Sequence, residues 1–232
     1  MYPLSDITIY YDGLKIPSLP QDADFSHKKN YICDFYHKLL NGYKPPKTGR
    51  ICIHIAKEKI WDEPSYFGAI CSIANTIDED KYISFSQIDK YKYILDIVHQ
   101  SCLTLAKHYN WDISIFQNAF DTIYKLDFKF TLDYPQKLSK DKKTLAHVQI
   151  EKTETTSFLY LIFSANDLNK KIKLFEKTNW YWYDSVYKFA ANSKWLDKVT
   201  FGVKSKDNGR FAYYSFLDDI MIGKIEFGET DF

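Results

Sequence analysis

The stretch Ile88–Leu132, IDKYKYILDIVHQSCLTLAKHYNWDISIFQNAFDTIYKLDFKFTL, decides the fold class because its hydrophobic spacing changes along its length. Its first part, Ile88–Tyr109, repeats apolar residues at spacings of three and four, which predicts an amphipathic helix. The residues of this apolar stripe are Ile94, Leu95, Val98, Cys102, Leu105 and Tyr109.

The segment Asn110-Trp111-Asp112 ends that helix and begins another. Asp112 can accept hydrogen bonds from the free amides of a helix N-terminus, and we expect the new helix to run to about Leu126. Beyond it, apolar residues alternate with polar neighbours at Phe128, Phe130 and Leu132, which is typical of a strand. The quoted stretch therefore joins a helical half of the chain to a strand-rich half.

The second half continues in alternating segments separated by turn residues, which predicts a mostly antiparallel meander. The expected strands are Leu145–Ile150, Phe158–Phe163, Ile172–Phe175, Val199–Lys204, Phe211–Phe216 and Ile222–Phe227. Trp180–Ala191 fits either a short helix or an irregular aromatic segment.

The first half mixes strands with a further helix before Ile88. Asp12-Gly13, between the apolar runs Ile7–Tyr11 and Leu14–Ile16, predicts an N-terminal hairpin, because a type I′ turn needs positive φ at both central positions. Asp24–Leu40 has helical spacing and completes a set of three main helices. The strands expected after it are Ile51–Ala56, Tyr66–Ile77 and Tyr82–Phe85.

These patterns predict an α+β fold, with mixed or antiparallel strands and the three helices in the first half and the meander in the second. We expect a single compact domain over residues 1–232, a size that one domain accommodates. The alternative is two lobes, an α+β lobe over 1–126 and a β-rich lobe over 127–232.

Composition limits the classes of function. The chain has 31 basic and 30 acidic residues, a net charge of +1, so no overall field favours nucleic acid or an anionic membrane. Aromatic residues make up 18% of the chain, an excess that suits contact surfaces as well as a core. The bias toward Lys, Ile, Tyr, Phe and Asn is what A+T-rich coding produces, and it points to a bacterium of low G+C content.

The cellular address is predicted from the cysteines and the N-terminus. Four cysteines are spread without a CxxC pair, which indicates reduced thiols. The opening MYPLSDITIYYDG lacks the basic and apolar regions of a signal peptide, and no apolar run is long enough to cross a bilayer. We therefore expect a cytoplasmic protein that makes no membrane contact.

Two helical pairs have residue types that catalysis or zinc binding uses. Cys33 and His37 lie four apart on one helix face, and Asp96 and His99 lie three apart on the long helix. A thiol beside an imidazole can act as a nucleophile or ligate zinc, and a carboxylate can orient a general base. We favour the alternatives, a core cysteine with a border histidine and a solvated helix flank, and predict no metal or cofactor.

An aromatic run, Trp180-Tyr181-Trp182-Tyr183, is the most unusual local feature of the sequence. Four consecutive aromatic side chains cannot all face one core, so we predict a partner-binding surface here. Core packing is the alternative. Because lysines at 170, 171, 173 and 177 precede the run, stacking of single-stranded nucleic acid is another.

Asp218 and Asp219 belong to an acidic C-terminal segment. Carboxylate oxygens can hold a divalent cation, but their spacing matches no known cation-binding loop. We interpret the pair as a solvated face or as a docking surface for a basic partner.

The absence of motifs completes the functional prediction. The sequence has no Gly-rich phosphate loop, no GxSxG and no HExxH. We therefore expect a non-enzymatic cytosolic binding protein, such as a bacterial immunity or inhibitor protein that neutralises a toxin or effector by surface contact. The alternatives are a hydrolase or transferase that uses Asp96 and His99, and a single-stranded nucleic-acid binder. The partner's identity and the oligomeric state stay open.

Overall fold

The structure of the protein is a computed structural model that describes residues 3–17, 23–165, 168–178, 180, 185–206 and 209–227. The chain forms two compact units, each defined by contacts among its own residues, Met1–Lys129 and Phe130–Phe232. Helices lie mainly in the first unit and an antiparallel meander forms the second, so the α+β prediction is confirmed. The single domain and its two-lobe alternative stay predictions.

A four-stranded mixed sheet organises the first unit. Its strands are β1 Asp6–Tyr11, β2 Arg50–Ala56, β3 Ser65–Phe67 and β4 Ile70–Thr76, in the spatial order β1-β2-β4-β3. β1, β2 and β4 run parallel, and β3 is antiparallel to β4. Buried isoleucines recur at alternate positions of β1 and β2, as in a sheet whose face is covered. They are Ile7, Ile9, Ile51, Ile53 and Ile55.

Among the described residues of the first unit, the helices beside this sheet are α1 Asp24–Leu39, α2 Glu79–Ser84, α3 Gln87–Tyr109 and α4 Ile113–Lys125. α1, α3 and α4 pack on one another, α1 contacts β1, and α3 contacts β4. The predicted stripe of α3 is buried from Ile94 to Leu105. The Asp112 carboxylate accepts from the Ser114 amide at 2.9 Å, which confirms the predicted cap of α4.

Two predicted strands of the first unit were wrong. The stretch 66–77 is not one strand, because Gly68, with φ of +60°, turns β3 back into β4. The predicted strand Tyr82–Phe85 belongs largely to α2, whose start is capped by Asp78 accepting from the Lys81 amide at 3.0 Å. Acidic residues in the first turn of a helix interact favourably with the helix dipole. In this segment that helix signal outweighs the apolar pattern that predicted a strand.

The predicted N-terminal hairpin was also wrong, because β1 pairs with β2 in parallel and residues 14–16 form no strand. The amide of Asp12 donates to Ile55 O at 2.9 Å and so extends the pairing with β2. The amides of Leu14 and Lys15 donate to Glu79 Oε1 at 2.9 and 3.1 Å, instead of to a second strand. The Tyr11 hydroxyl donates to the same oxygen.

Close approach, and not positive φ, explains the glycine at position 13. A Cβ there would overlap the Glu79 carboxylate and the Tyr11 ring. We expect Gly13→Ala to lower the free energy of unfolding by about 1–3 kcal/mol, the usual cost of overpacking a filled site. Urea unfolding followed by circular dichroism at the helix band measures this loss.

Gly49→Ala is the matched control for that experiment. A Cβ at Gly49 would make an ordinary contact at 3.6 Å with the Ala69 side chain, so we expect a change within about 0.5 kcal/mol. Equal effects of the two substitutions would contradict the packing explanation for Gly13.

Two antiparallel sheets build the second unit. The first sheet contains β5 Phe130–Asp133, β6 Lys137–Leu138, β7 Leu145–Lys152, β8 Thr156–Ala165 and β9 Leu168–Thr178. The second contains β10 Lys194–Trp195, β11 Thr200–Lys204, β12 Phe211–Ser215 and β13 Ile220–Ile222, in that spatial order. A short helix, α5 Val186–Ala191, contributes to the same core as both sheets. Among the core residues are Val148, Ile150, Leu159, Leu161, Phe189, Phe201, Val203 and Ala212.

The last strand differs from its predicted bounds of Ile222–Phe227. β13 starts two positions earlier, at Ile220, and ends at Ile222. Gly223 follows with φ of +80°, a left-handed conformation that takes the chain out of the strand.

Candidate partner-binding surface

The strongest candidate for a contact surface is the end of the hairpin formed by β12 and β13. We call residues 217–222 the hairpin surface. Its apolar side chains are exposed by 77% at Leu217, 52% at Ile220, and 39% at both Met221 and Ile222. Consecutive strand residues point to opposite faces, so β13 presents apolar side chains on both of its faces.

The turn at the start of the hairpin surface is held by its own polar groups. The Ser215 hydroxyl donates to Asp218 Oδ2 at 2.7 Å. Asp219 has φ of +57°, a left-handed conformation that aspartate tolerates better than most residues. Its Oδ1 accepts from the Tyr214 hydroxyl and from the Lys170 ammonium. Hydrogen bonds within the chain therefore hold this turn.

The turn at the start of the hairpin surface is negatively charged. Lys170 pairs with Asp219, whereas Asp218 forms no ion pair with any residue that the structure describes. Both aspartates were predicted as partner-binding residues, and the structure places them directly beside the exposed apolar side chains. A basic group of a partner would meet a carboxylate at this end of the hairpin surface.

Sequence reasoning missed Leu217, Ile220 and Met221, although a signal was present. Ile220-Met221-Ile222 is a run of three consecutive apolar residues after an acidic turn. Such a run cannot bury every side chain on a single face of a strand. The aromatic run at 180–183 has the same signal.

The structure buries Trp180, which the sequence predicts as a partner-binding residue. Its side chain is only 3% exposed, and its indole N–H donates to Thr153 O at 3.1 Å. The ring covers the Lys152 ammonium, which lies 3.8 Å from the Trp180 centroid and 4.3 Å from that of Tyr187. Trp180 thus belongs to the interior of the second unit. The other predicted contact residues of the run, Tyr181, Trp182 and Tyr183, lie outside the described residues.

Lysines that precede the aromatic run are engaged with acidic or polar side chains. Lys171 donates to Gln149 at 2.9 Å and also pairs with Glu151, and Lys173 pairs with Glu176 at 2.7 Å. A phosphate backbone would have to compete with these carboxylates for the same ammonium groups. These pairs weigh against phosphate binding by Lys171 and Lys173.

The candidate pair on α3 is not joined by a hydrogen bond. Asp96 is exposed, whereas His99 is 3% exposed and stacks on Phe120 with ring centroids 4.1 Å apart. His99 Nδ1 lies 2.9 Å from the Tyr36 hydroxyl, which also donates to Phe116 O at 3.1 Å. A hydroxyl has one proton to give, so the imidazole donates to Tyr36 when that proton goes to Phe116. His99 is therefore part of the helix packing.

Cys33 and His37 on α1 are also occupied structurally. Burial raises the pKa of the Cys33 thiol well above its ordinary value, which keeps it protonated and poorly nucleophilic. His37 Nε2 lies 2.8 Å from Leu4 O, so that nitrogen is the protonated one. Among the residues that the structure describes, no group of three or more potential ligands is arranged to hold a metal ion.

These two histidines predict acid sensitivity of the first unit. Burial lowers the pKa of both His99 and His37 below the ordinary 6.5. The unfolded chain then binds more protons than the folded chain, so stability is full about one pH unit above 6.5 and is lost as the pH falls through 6.5 toward the folded-state pKa values. We expect the free energy of unfolding to fall between about pH 7.5 and pH 5.5, by at most about 1.4 kcal/mol per pH unit for each histidine.

Urea titrations across this range measure the slope, and His99→Gln serves as the comparison. The variant should lose part of the slope even where its overall stability is lower. Asp24 and Glu79, whose pKa values are lowered, titrate below this range. An unchanged slope in the variant, or a gain in stability on acidification, would contradict the prediction.

Two further histidines lie on strands beside carboxylates. His54 lies between the rings of Tyr10 and Trp61, with centroid distances of 5.0 and 4.9 Å, and its Nδ1 is 3.6 Å from Asp12. His147 Nε2 is 3.3 Å from Asp133.

A cavity of about 390 Å³ opens where β4 meets α2. The charged side chains that line it make contacts within the protein. Lys15 pairs with Asp80, Glu79 accepts from the amide of Leu14, and Asp78 caps α2. These internal bonds explain the acidic lining without a ligand.

In the described part of the chain, no helix has the length and apolar character that crossing a membrane requires. No protein-family model, curated protein or solved structure matches this chain.

Proposed function

We propose that this chain is a non-enzymatic binding protein of the bacterial cytoplasm that covers the surface of a partner protein. An immunity or inhibitor protein that neutralises a toxin or effector acts in this way. The single observation that carries the proposal is the hairpin surface, where four exposed apolar side chains adjoin two aspartates.

Physical chemistry supports a contact role for such a surface. Burying a large aliphatic side chain that was exposed contributes about 1.5–3 kcal/mol, and a few such residues dominate most interfaces. An ordered turn loses little conformational entropy when a partner binds. The aspartates add selectivity for a basic partner, because a like charge opposite them would be repelled.

The enzyme alternative has less support. It depends on Asp96 acting through His99, but the His99 ring bonds to the hydroxyl of Tyr36 and the side chain of Gln117, and not to Asp96. The nucleic-acid alternative has less support for a different reason, the carboxylate partners of Lys171 and Lys173.

Capture from a lysate of the source organism tests the proposal. The tagged chain is used as bait, and the eluate is analysed by size exclusion with light scattering and by absorbance at 260 nm. We expect a single protein partner in a fixed ratio, encoded near this gene. Salt-sensitive nucleic acid without a protein, or no complex with any neighbouring gene product, would overturn the proposal.

A further inference from the structure

We propose that the partner binds by adding an extended strand with basic side chains to the free edge of β13. This inference rests on the proposed function and specifies how the hairpin surface is used. β13 is the terminal strand of its sheet, and no other described segment pairs with its outer edge. Strand addition satisfies the backbone groups of such an edge while neighbouring side chains give specificity.

The pairing pattern identifies which backbone groups face outward. The Phe216 amide donates to Val199 O at 2.8 Å, so the backbone groups of Phe216 point toward β11. Successive residues of a strand direct these groups to opposite sides, so those of Ser215 and Tyr213 point toward β13. Their register partners, Ile220 and Ile222, therefore bond to β12. The N–H and C=O of Met221 therefore point away from the sheet, and no described segment of the chain pairs with them.

Side chains on both faces of β13 lie where an added strand would contact them. Met221 shares a face with Tyr214, and Ile220 and Ile222 share the other face with Ser215 and Tyr213. A strand that pairs at Met221 places its own side chains beside both sets. Because the chain turns away at Gly223, the pairing is short, and side-chain contacts must supply much of the affinity.

Charge selects a basic strand. Asp218 and Asp219 lie at the turn before β13, and Lys170 offsets only one of them. After β13, Lys224 and Glu226 pair with each other and cancel. The excess charge along this edge is therefore negative and close to the turn, where a lysine or arginine of the added strand would lie.

Substitutions at Met221 separate the backbone contribution from the side-chain contribution. Met221→Pro removes the outward N–H and leaves the bonds of Ile220 and Ile222 to β12, a position where a strand tolerates proline. Met221→Ala keeps the N–H and removes the side chain. Met221→Lys keeps the N–H and repels a basic strand, so it provides a second test if the proline variant fails to fold. Circular dichroism confirms the fold of each variant.

The probe is a capped peptide of alternating lysine and valine, and its control alternates glutamate and valine. By calorimetry we expect the lysine peptide to bind the wild-type chain. Met221→Ala should weaken that binding only through the lost side chain, and Met221→Pro and Met221→Lys should each weaken it about tenfold more than Met221→Ala does. The glutamate peptide should bind at least about tenfold more weakly than the lysine peptide.

Three results would overturn strand addition: no binding of the lysine peptide, equal binding of both peptides, or full binding by a folded Met221→Pro variant. A wild-type dimer that dissociates in that variant would also overturn it, because the occupant would be a second copy of the chain. The capture experiment is independent of the peptides. A partner retained by Met221→Pro leaves the proposed function standing without strand addition, whereas no partner at all removes the proposed function.

Discussion

Replacing Trp180 by alanine is expected to lower the free energy of unfolding of the second unit by about 3–5 kcal/mol, the usual cost of truncating a buried tryptophan. The side chain is 3% exposed, so the substitution leaves a cavity. It also removes the donor to Thr153 O and the ring that lies 3.8 Å from the Lys152 ammonium. Lys152 is itself 5% exposed, so its ammonium would lose an aromatic contact at a nearly buried position.

Urea unfolding followed by circular dichroism measures the effect, with Trp180→Phe as the matched control. Phenylalanine keeps an aromatic face over Lys152 and loses the indole N–H, so its cost should be smaller, about 1–2 kcal/mol. If Trp180 were a surface contact residue, its replacement would change stability by no more than about 0.5 kcal/mol. That result would restore the role predicted from the sequence.

The double substitution Leu217→Ser and Ile220→Ser is expected to weaken binding of the captured partner by about 100-fold, or about 3 kcal/mol. The reason is the loss of two apolar side chains that the partner would bury. Because both side chains are exposed in the free chain, the free energy of unfolding should change by less than about 0.5 kcal/mol. Calorimetry with the purified partner gives the affinity, and urea unfolding gives the stability.

Phe67→Ser is the matched control for this loss of binding. Phe67 lies on β3 of the first unit and is 84% exposed, so it is an exposed apolar residue outside the hairpin surface. We expect this variant to bind the partner as the wild type does. A similar loss of affinity in both variants would indicate a general effect of surface hydrophobicity.

Local signals in the sequence were sufficient to predict much of the fold. The stripe of α3, the cap at Asp112 and the alternation of β7 and β8 each depend on residues within a few positions of one another. The hairpin predicted at Asp12-Gly13 was wrong because the amides of Leu14 and Lys15 donate to the Glu79 side chain. Glu79 lies 65 residues after Leu14, so no local pattern in the sequence connects the two. Tertiary contacts override a turn preference in such a case.

The candidate site was predicted only in part, because exposure and burial also depend on distant contacts. Asp218 and Asp219 were identified from their charge, which is visible in the sequence. Exposure of Ile220 and Met221 depends on β13 being the edge of its sheet, and a strand's place in a sheet is set by the whole topology. Trp180 contacts Lys152, the last residue of β7, and Thr153, the residue that follows it.

Amide hydrogen exchange of the chain, free and bound to the captured partner, tests the central claim most directly. Binding that adds a strand to β13 should slow exchange at residues 217–222, with the largest change at the Met221 amide. The amides of the cavity-lining residues 76–80 in the first unit should exchange as in the free chain. Protection confined to the first unit, with unchanged exchange at residues 217–222, would contradict the assignment of the hairpin surface as the partner-binding site.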